Sequence, residues 1–467
     1  MVIRYNTEMN TSSWSDEESF ASDFGDLRIT KRMSKLLERL SEQPSASIPT
    51  ALGGWDEIQA AYRFFDNERV TARRIITPHR TATISRMKGQ PVILGIQDTS
   101  FFNYYGQPDI EDLGPHSHNI EYGYFAHPVI AVTPDRICLG VLSVETWIRE
   151  FEDEKTKKRA SRPIEEKESM RWLRGYDALA SAHDQVPNAK LICIGDRESD
   201  IYEMFAHARP HQAEWLVRAT HDRALVDGEK MRAAIAKSTC LGSHSIEVPH
   251  KGPYPVRTAT VEVRAKRVCL SAPHRADKQL PDIDVTVILV NEINPPDPSQ
   301  HGPAVEWLLL TSVDCPTTYD GVMEIVEWYR CRWMIERFFY VLKSGCAVEK
   351  LQLQTRKRLE AALAMYMIIA WRVLFATILS RSGDNIPARV LFTEDEVRVA
   401  YGATKRERPA IPLLCEVVCL VASMGGYIIR KGQGPPGPKT LWTGWQNLRL
   451  AVMGVQLARE WAKAGDV

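Results

Sequence analysis

The sequence predicts an α+β protein with an α/β centre: a mixed sheet with helices packed on it, between an all-helical first module and a helical C-terminal region. Three observations carry this expectation. Past Gly89, apolar runs rich in β-branched residues follow one another at hairpin spacing. Farther on, strand-like runs alternate with helical periodicity. Both flanks read as helix alone.

In the first module, DLRITKRMSKLLERL (26–40) carries apolar residues at helical spacing behind an acidic start, and SEQPSASIPT breaks it. WDEIQAAYRFFDNERV and TARRIITPHRTATISRM resume the helical pattern, with Pro78 expected to kink or split the second. PVILGIQDTSFF reads as one buried strand, and YFAHPVIAVTP and ICLGVLSVETWI as two more. After a polar stretch, FEDEKTKKRASRPIEEKES, come a helix in MRWLRGYDALASAH, the buried strand AKLICIG, a helix around DIYEMFAHA and the strand AEWLVRAT. VRTATVEVRAKRVCLS and DIDVTVILVNEI form a β insertion before WLLLTS returns to the core, and from about residue 350 helical patterns dominate.

The 467 residues leave room for about three domains at ~150 residues each. We expect a helical module at 1–88, an α/β region at 89–355 with the insertion at about 221–306, and a helical region at 356–467. Hydrophobic content of 44% and charged content of 25% are ordinary for a globular chain. No stretch approaches the ~18 consecutive apolar residues of a membrane helix, and MVIRYNTEMNTSSWSDEESF has no apolar signal core. A cytosolic protein without a membrane partner is expected. The nine cysteines stand singly with no C-x-x-C pair, against a disulfide framework or a cysteine zinc site. His116 and His118 lack partner ligands at metal-binding spacing.

Net charge is zero, but its distribution is uneven. Residues 1–24 hold one Arg and five acidic residues, whereas 25–90 hold twelve Lys/Arg against seven Asp/Glu. A basic module in a neutral chain suits a phosphate-binding surface, and equally a solvated helical face.

Three carboxylates stand at informative places. Asp98 ends or sits within the first buried run (ILGIQDTS), Asp196 follows the fourth (LICIGDRESD), and Glu336 lies on a late helix. If the first and fourth strands are neighbours their acidic ends meet, and a helix packed across them delivers the third. Mg²⁺ takes oxygen ligands from one or two carboxylates, leaving room for phosphate oxygens and water. Two such ions ~3.5–4 Å apart can activate a nucleophile and stabilise a leaving oxygen.

The segment Trp328 to Gly345, WYRCRWMIERFFYVLKSG, reads as one helix with two stripes. Cys331, Met334, Ile335, Phe338 and Leu342 make the apolar one. Tyr329, Arg332, Glu336 and Lys343 fall at roughly 0°, 300°, 340° and 320°, a second band of ~60°. Taken alone, Arg332 and Glu336 are an ordinary i,i+4 pair of roughly 0.2–0.5 kcal/mol.

The spacing Tyr-x2-Arg-x3-Glu-x6-Lys resembles the signature of the insertion-sequence-four family of bacterial transposases. The resemblance runs nearly the whole chain: GDLRITKRM, AAYRFF, QDTSFFNY, GDRESDIY, NEINPP, WLLLTS, YRCRWMIERF, and MGGY followed by LWTGW. It implies a ribonuclease-H-like core in which Asp98, Asp196 and Glu336 are the catalytic, metal-binding Asp-Asp-Glu triad. It further implies two Mg²⁺ ions per active site, replaceable by Mn²⁺. Tyr329, Arg332, Lys343 and Arg218 would hold phosphates near the cleavage point, and Trp307 would stack on a flipped base. Arg28, Lys31, Arg32 and Arg63 match the end-recognition segment, although Arg63 also suits an internal salt bridge. After Arg218 the sequence runs ATHDR, where the family pattern is richer in lysine.

The activity implied is cut-and-paste DNA transposition. A homodimer pairs the terminal inverted repeats, cleaves them through a hairpin intermediate and joins the 3′ ends to target DNA, in the bacterial cytoplasm on the nucleoid. Two rivals stand beside it: a catalytically decayed DNA-binding regulator, and a metal-dependent ribonuclease-H-like nuclease acting without end pairing.

Overall fold

The computed structural model describes residues 14–464 apart from 108, 117–120, 150–162, 210–211, 249–251, 276–277, 315–316, 382–384 and 431–433. His118, most of the polar stretch after Glu150 and the start of the acidic N-terminal segment lie outside the described residues. The described helices are α1 Trp14–Ser19, α2 Leu27–Glu42, α3 Ile48–Leu52, α4 Trp55–Asp66, α5 Ala72–Met87, α6 Met170–Ala180, α7 Tyr202–His207, α8 Met231–Ala236, α9 Pro298–His301, α10 Tyr319–Arg330, α11 Trp333–Tyr340, α12 Arg356–Leu379, α13 Glu394–Ala403, α14 Leu414–Met424 and α15 Pro438–Ala464. The strands are β1 Val92–Gln97, β2 Ser100–Asn103, β3 Gly114–Pro115, β4 Tyr122–Val132, β5 Cys138–Trp147, β6 Lys190–Gly195, β7 Glu214–Arg218, β8 Cys240–Val248, β9 Arg257–Leu270, β10 Ile283–Glu292 and β11 Glu306–Thr311. Packing divides the chain into two compact units: Met1–Gln90, Thr99–Phe151 and Met334–Val467 in one, Pro91–Asp98 and Glu152–Trp333 in the other.

The first unit is mainly helical, with β4 flanked by β2, β3 and β5, all antiparallel to it. Asp26 caps α2 by accepting the Arg28 N–H at 2.9 Å. Behind that cap, Met33, Leu36, Leu37 and Leu40 are buried at the helical spacing read from the sequence. Pro78 does not split its helix: α5 runs unbroken from Ala72 to Met87 with Pro78 buried inside it. Tertiary packing has overridden the local penalty. By length and composition α12 is apolar enough to cross a membrane, but its apolar window is wholly buried against α2, α4, α5, α14, α15 and β5. It is the core helix of this unit.

Two charged groups lie inside that core. The Glu18 carboxylate of α1 receives the His79 ring at 2.5 Å and the Arg86 guanidinium at 2.6 Å, both from α5. His79 Nε2 accepts the Val141 N–H at 2.9 Å, so its proton sits on Nδ1. Burial alone would raise the Glu18 pKa, but Arg86 and His79 outweigh it and hold the group down at about 2. Burial pushes His79 below its ordinary value. On α12, the buried Arg372 guanidinium lies between the rings of Trp14 and Trp445, at 4.4 and 4.8 Å, and donates to the Leu391 carbonyl.

The second unit is built on a sheet in the order β1-β6-β7-β11-β10-β9-β8. β1, β6 and β7 are mutually parallel; the rest pair antiparallel. The insertion strands continue the same sheet through β11. β8 was not foreseen, since its sequence CLGSHSIEV has little apolar alternation. Nor is PVILGIQDTSFF one strand: it breaks at Asp98–Thr99 into β1 and β2. The NEINPP motif is a latch within the insertion. Glu292 takes both terminal nitrogens of Arg257 and the Val305 N–H, while Arg257 also reaches the His301 carbonyl.

Replacing Glu18 by Ala leaves Arg86 and His79 without their carboxylate inside the core, and should cost about 3–5 kcal/mol in urea unfolding. The pH dependence has a definite sign. A folded-state pKa of about 2 against 4.5 unfolded gives stabilisation that is whole above 4.5 and lost as pH falls toward 2. The lowered His79 acts in the same direction below 6.5. Stability should therefore fall on acidification, and the fall should be shallower in Glu18→Gln.

Candidate active site

Three parallel strands set the site out in a row. In the β1/β6 ladder Ile96 faces Ile194, so two residues on along each strand Asp98 and Asp196 come level. In the β6/β7 ladder Gly195 faces Val217, which brings Arg218 level with Asp196. Adjacent strands lie about 4.8 Å apart, so the carboxyl ends of β1, β6 and β7 present Asp, Asp and Arg side by side. Carboxyl ends of parallel strands are where open α/β sheets bind ligands.

Asp196 owes its posture to a tight turn. Its Oδ1 accepts the Glu198 N–H at 2.8 Å, capping the 3₁₀ turn Arg197–Ser199, and the Ser199 hydroxyl donates to the Asp196 carbonyl at 2.6 Å. Gly195 is required before it, since a Cβ there would lie 2.3 Å from Ser199 Oγ.

Tyr329, at the end of α10, organises the cations. Only 4% of it is exposed, and it lies close enough to Arg332 and Arg218 to feel both charges. Burial pushes the phenol pKa up, while Arg332 and Arg218 pull against that. The Arg332 guanidinium also reaches the Asp98 carboxylate at 3.5 Å, and Arg218 donates to the Glu306 carbonyl at 2.7 Å. Trp307, on β11, meets the Tyr329 ring edge-on at 5.8 Å. Asp98, Asp196, Arg218, Trp307, Tyr329 and Arg332 thus form one constellation within the second unit.

The single long helix expected from Trp328 to Gly345 is not found. α10 ends at Arg330, α11 begins at Trp333, and Val341–Gly345 is a π turn. Between the two α-helices, Cys331 and Arg332 bond back three residues, to Trp328 and Tyr329, tightening the last turn of α10. No Gly or Pro marks the break, so periodicity ran straight through it. The apolar stripe survives, with Cys331, Met334, Ile335, Phe338 and Leu342 all buried. The uniform 100° steps on which the polar stripe rests are interrupted at the break and again at the π turn. Glu336, on α11, and Lys343, on the π turn, belong to the first unit. There Lys343 donates to the Phe101 carbonyl at 2.5 Å and pairs with Glu349 at 3.2 Å. Among the described residues, no group of three or more His, Cys, Asp or Glu is placed to hold a metal ion. His116 pairs with Glu121 at 3.2 Å.

Three family profiles match in succession: "Transposase DNA-binding" over residues 11–70, "Transposase DDE domain" over 175–372 and "Transposase Tn5 dimerisation domain" over 368–465. The chain belongs to the Tn5-type DDE transposases. A piggyBac transposase synaptic complex with hairpin DNA, solved by cryo-EM, aligns over 96% of this chain and 73% of that one. Its identity is 10% and its TM-score 0.35, too loose a likeness to carry mechanism. The protein is therefore a DNA transposase with a divalent-metal-dependent DDE domain, a DNA-binding domain and a dimerisation domain.

Within the DNA-binding match, the transposase sets Arg28, Lys31, Arg32 and Lys35 along one side of α2. The Arg28 side chain is 91% exposed and bonded to Asp26, and Lys31 is exposed. Arg32 and Lys35 share Glu57 of α4, at 2.6 and 2.5 Å. Lys35 was missed in the sequence, though it stands four residues after Lys31 on the same face. Arg63 is exposed and bonds Gln59 rather than an acidic partner. Within the dimerisation match, the first half of α15 buries Leu441, Trp442, Trp445 and Leu448. Beyond it, Leu450, Met453, Leu457 and Trp461 are exposed along one side of the helix.

Two outcomes follow from this geometry. Tyr329→Phe keeps the ring contact with Trp307 but removes the buried hydroxyl near two guanidiniums. End cleavage should slow about ten-fold or more, with end binding in gel shifts unchanged. Leu457→Asp with Trp461→Ala should weaken self-association in analytical ultracentrifugation without lowering the melting temperature, because those side chains already face solvent.

Proposed function

We propose that the transposase works by cut-and-paste chemistry through a hairpin, on Mg²⁺ held by Asp98, Asp196 and Glu336, with Mn²⁺ able to substitute. The observation that carries this reading is the row of Asp98, Asp196 and Arg218 at three adjacent strand ends, backed by Tyr329 and Arg332. The donor set suits the ion. Asp98 and Asp196 are hard oxygen donors at the ends of neighbouring strands, and one Asp196 oxygen, Oδ1, is engaged by a backbone N–H. Carboxylates of this kind, with water and phosphate oxygens, make up ordinary Mg²⁺ coordination. When bound, two ions would polarise the scissile phosphate and lower the pKa of the attacking water or hydroxyl.

The protein's own groups do the rest. Arg218 and Arg332, braced by Tyr329, hold non-bridging phosphate oxygens by charge-assisted bonds, and Lys343 serves the same phosphate region. Water attacks phosphorus at the transposon end and the bond to the 3′ oxygen breaks, leaving a 3′-hydroxyl. That hydroxyl attacks the opposite strand, closing a hairpin and releasing flanking DNA. A second water reopens the hairpin, and the 3′-hydroxyl then attacks target DNA. Trp307 stacks on a base turned out of the bent end. Arg28, Lys31, Arg32 and Arg63 hold the terminal inverted repeats, chiefly through phosphates. Residues 1–88 recognise ends, 89–355 catalyse and 356–467 pair two copies, with the whole acting on DNA in the bacterial cytoplasm.

The test uses purified protein, Mg²⁺ and DNA carrying the inverted repeats that flank its gene. Asp98→Ala, Asp196→Ala and Glu336→Ala should each bind ends as wild type and lose cleavage by more than about a thousand-fold. Trp307→Ala should suppress hairpins more than first-strand nicks. Cleavage surviving any one carboxylate substitution removes that residue from the triad. Wild-type protein that binds without cutting would instead be a regulator.

A further inference from the structure

The DRESD segment holds a second aspartate, Asp200, that the catalytic reading does not use. Its side chain is fully buried, yet four donors converge on it. Oδ2 accepts the backbone N–H groups of Thr220 and His221, at 2.7 and 2.8 Å. Oδ1 accepts Nε and Nη2 of Arg223, and Nη2 also reaches the Asp200 carbonyl. A buried carboxylate is tolerated when it is paired and saturated with donors in this way. Every one of these donors lies in the loop leaving β7, two to five residues beyond Arg218. Asp200 itself directly follows the turn capped by Asp196. A second stitch joins the same two segments: the Thr220 hydroxyl donates to the Arg197 carbonyl at 3.0 Å. Arg223 is held in turn over the rings of Tyr202 and Phe205, at 5.5 and 5.4 Å.

We infer that Asp200 is a positioning residue: by locking the Asp196 turn to the loop after β7, it fixes the Asp196 carboxylate relative to Arg218 and so sets how well Asp196 binds a divalent cation. It cannot touch DNA or metal itself, because its carboxylate is enclosed. The inference rests on Asp196 being a metal ligand, as proposed above. Groups that orient metal ligands from behind commonly alter metal affinity 10- to 100-fold when replaced.

The experiment titrates full-length protein with Mn²⁺ alone and reads bound ion by loss of the free-ion electron paramagnetic resonance signal. Asp200→Asn keeps the shape but cannot accept on both edges at once. It should weaken Mn²⁺ binding about ten-fold or more while the melting temperature without metal stays within a few degrees of wild type. Thr220→Val, which removes only the stitch to Arg197, should shift binding the same way by less. Should Asp200→Asn not fold, Arg223→Lys, which keeps the charge and loses the two-pronged contact, carries the decision. Wild-type affinity in whichever of these two variants folds, with Asp196→Ala having lost the ion, overturns the positioning role. Wild-type affinity in Asp196→Ala, or no uptake by the wild-type chain, overturns the reading of Asp196 as a ligand, and the inference falls with it.

Discussion

The register of three parallel strands is the constraint on which the rest depends. Side chains alternate faces along a strand, so a slip of one residue between β1 and β6 would turn Asp98 to the opposite face from Asp196. The slip is opposed by buried residues on both strands: Ile93, Leu94 and Ile96 of β1, with Leu191, Ile192, Cys193 and Ile194 of β6. The hydrophobic core thereby sets the geometry of the candidate site from a distance. It decides where two carboxylates stand before any ion or DNA is present.

Placing two guanidiniums at that spot is electrostatically costly. Arg218 and Arg332 both lie near Tyr329, and burial first, then neighbouring cations including Arg332, loosens Arg218's hold on its proton. The arrangement persists because Asp98 and Asp196 lie beside them, so positive and negative groups are interleaved rather than segregated. A phosphodiester entering such a site meets donors already oriented, and pre-oriented donors stabilise a developing charge without reorganising. Tyr329 explains why a tyrosine belongs to the signature at all. It lies buried near the two cations, and its ring meets Trp307 edge-on.

Much of this was legible in the sequence, for reasons that can be named. The buried runs ILGIQ and LICIG announce parallel strands because only β-branched and apolar residues suit a strand covered on both faces, and an aspartate directly after each marks the strand end. The first module was legible because α2 carries a cap, an apolar stripe and a basic face in one short stretch. What periodicity could not show was the break between α10 and α11, where backbone bonding changes without Gly or Pro. The π turn around Lys343 also escaped, because Gly345 marks only its end. Asp200 was hidden because an aspartate buried in a loop looks, in text, like one in solvent. Pro78 shows the opposite error: local propensity spoke clearly, and the surrounding core overruled it.

Two described residues of the acidic N-terminal segment, Trp14 and Glu18, pack onto cations of the first unit. Trp14 covers one face of Arg372, and Glu18 neutralises Arg86 beneath it. Translation initiated inside the reading frame, at Met33 for instance, would yield a polypeptide retaining the whole exposed edge of α15 yet leaving two cations stranded in its interior. Such a product should be less stable than the full chain.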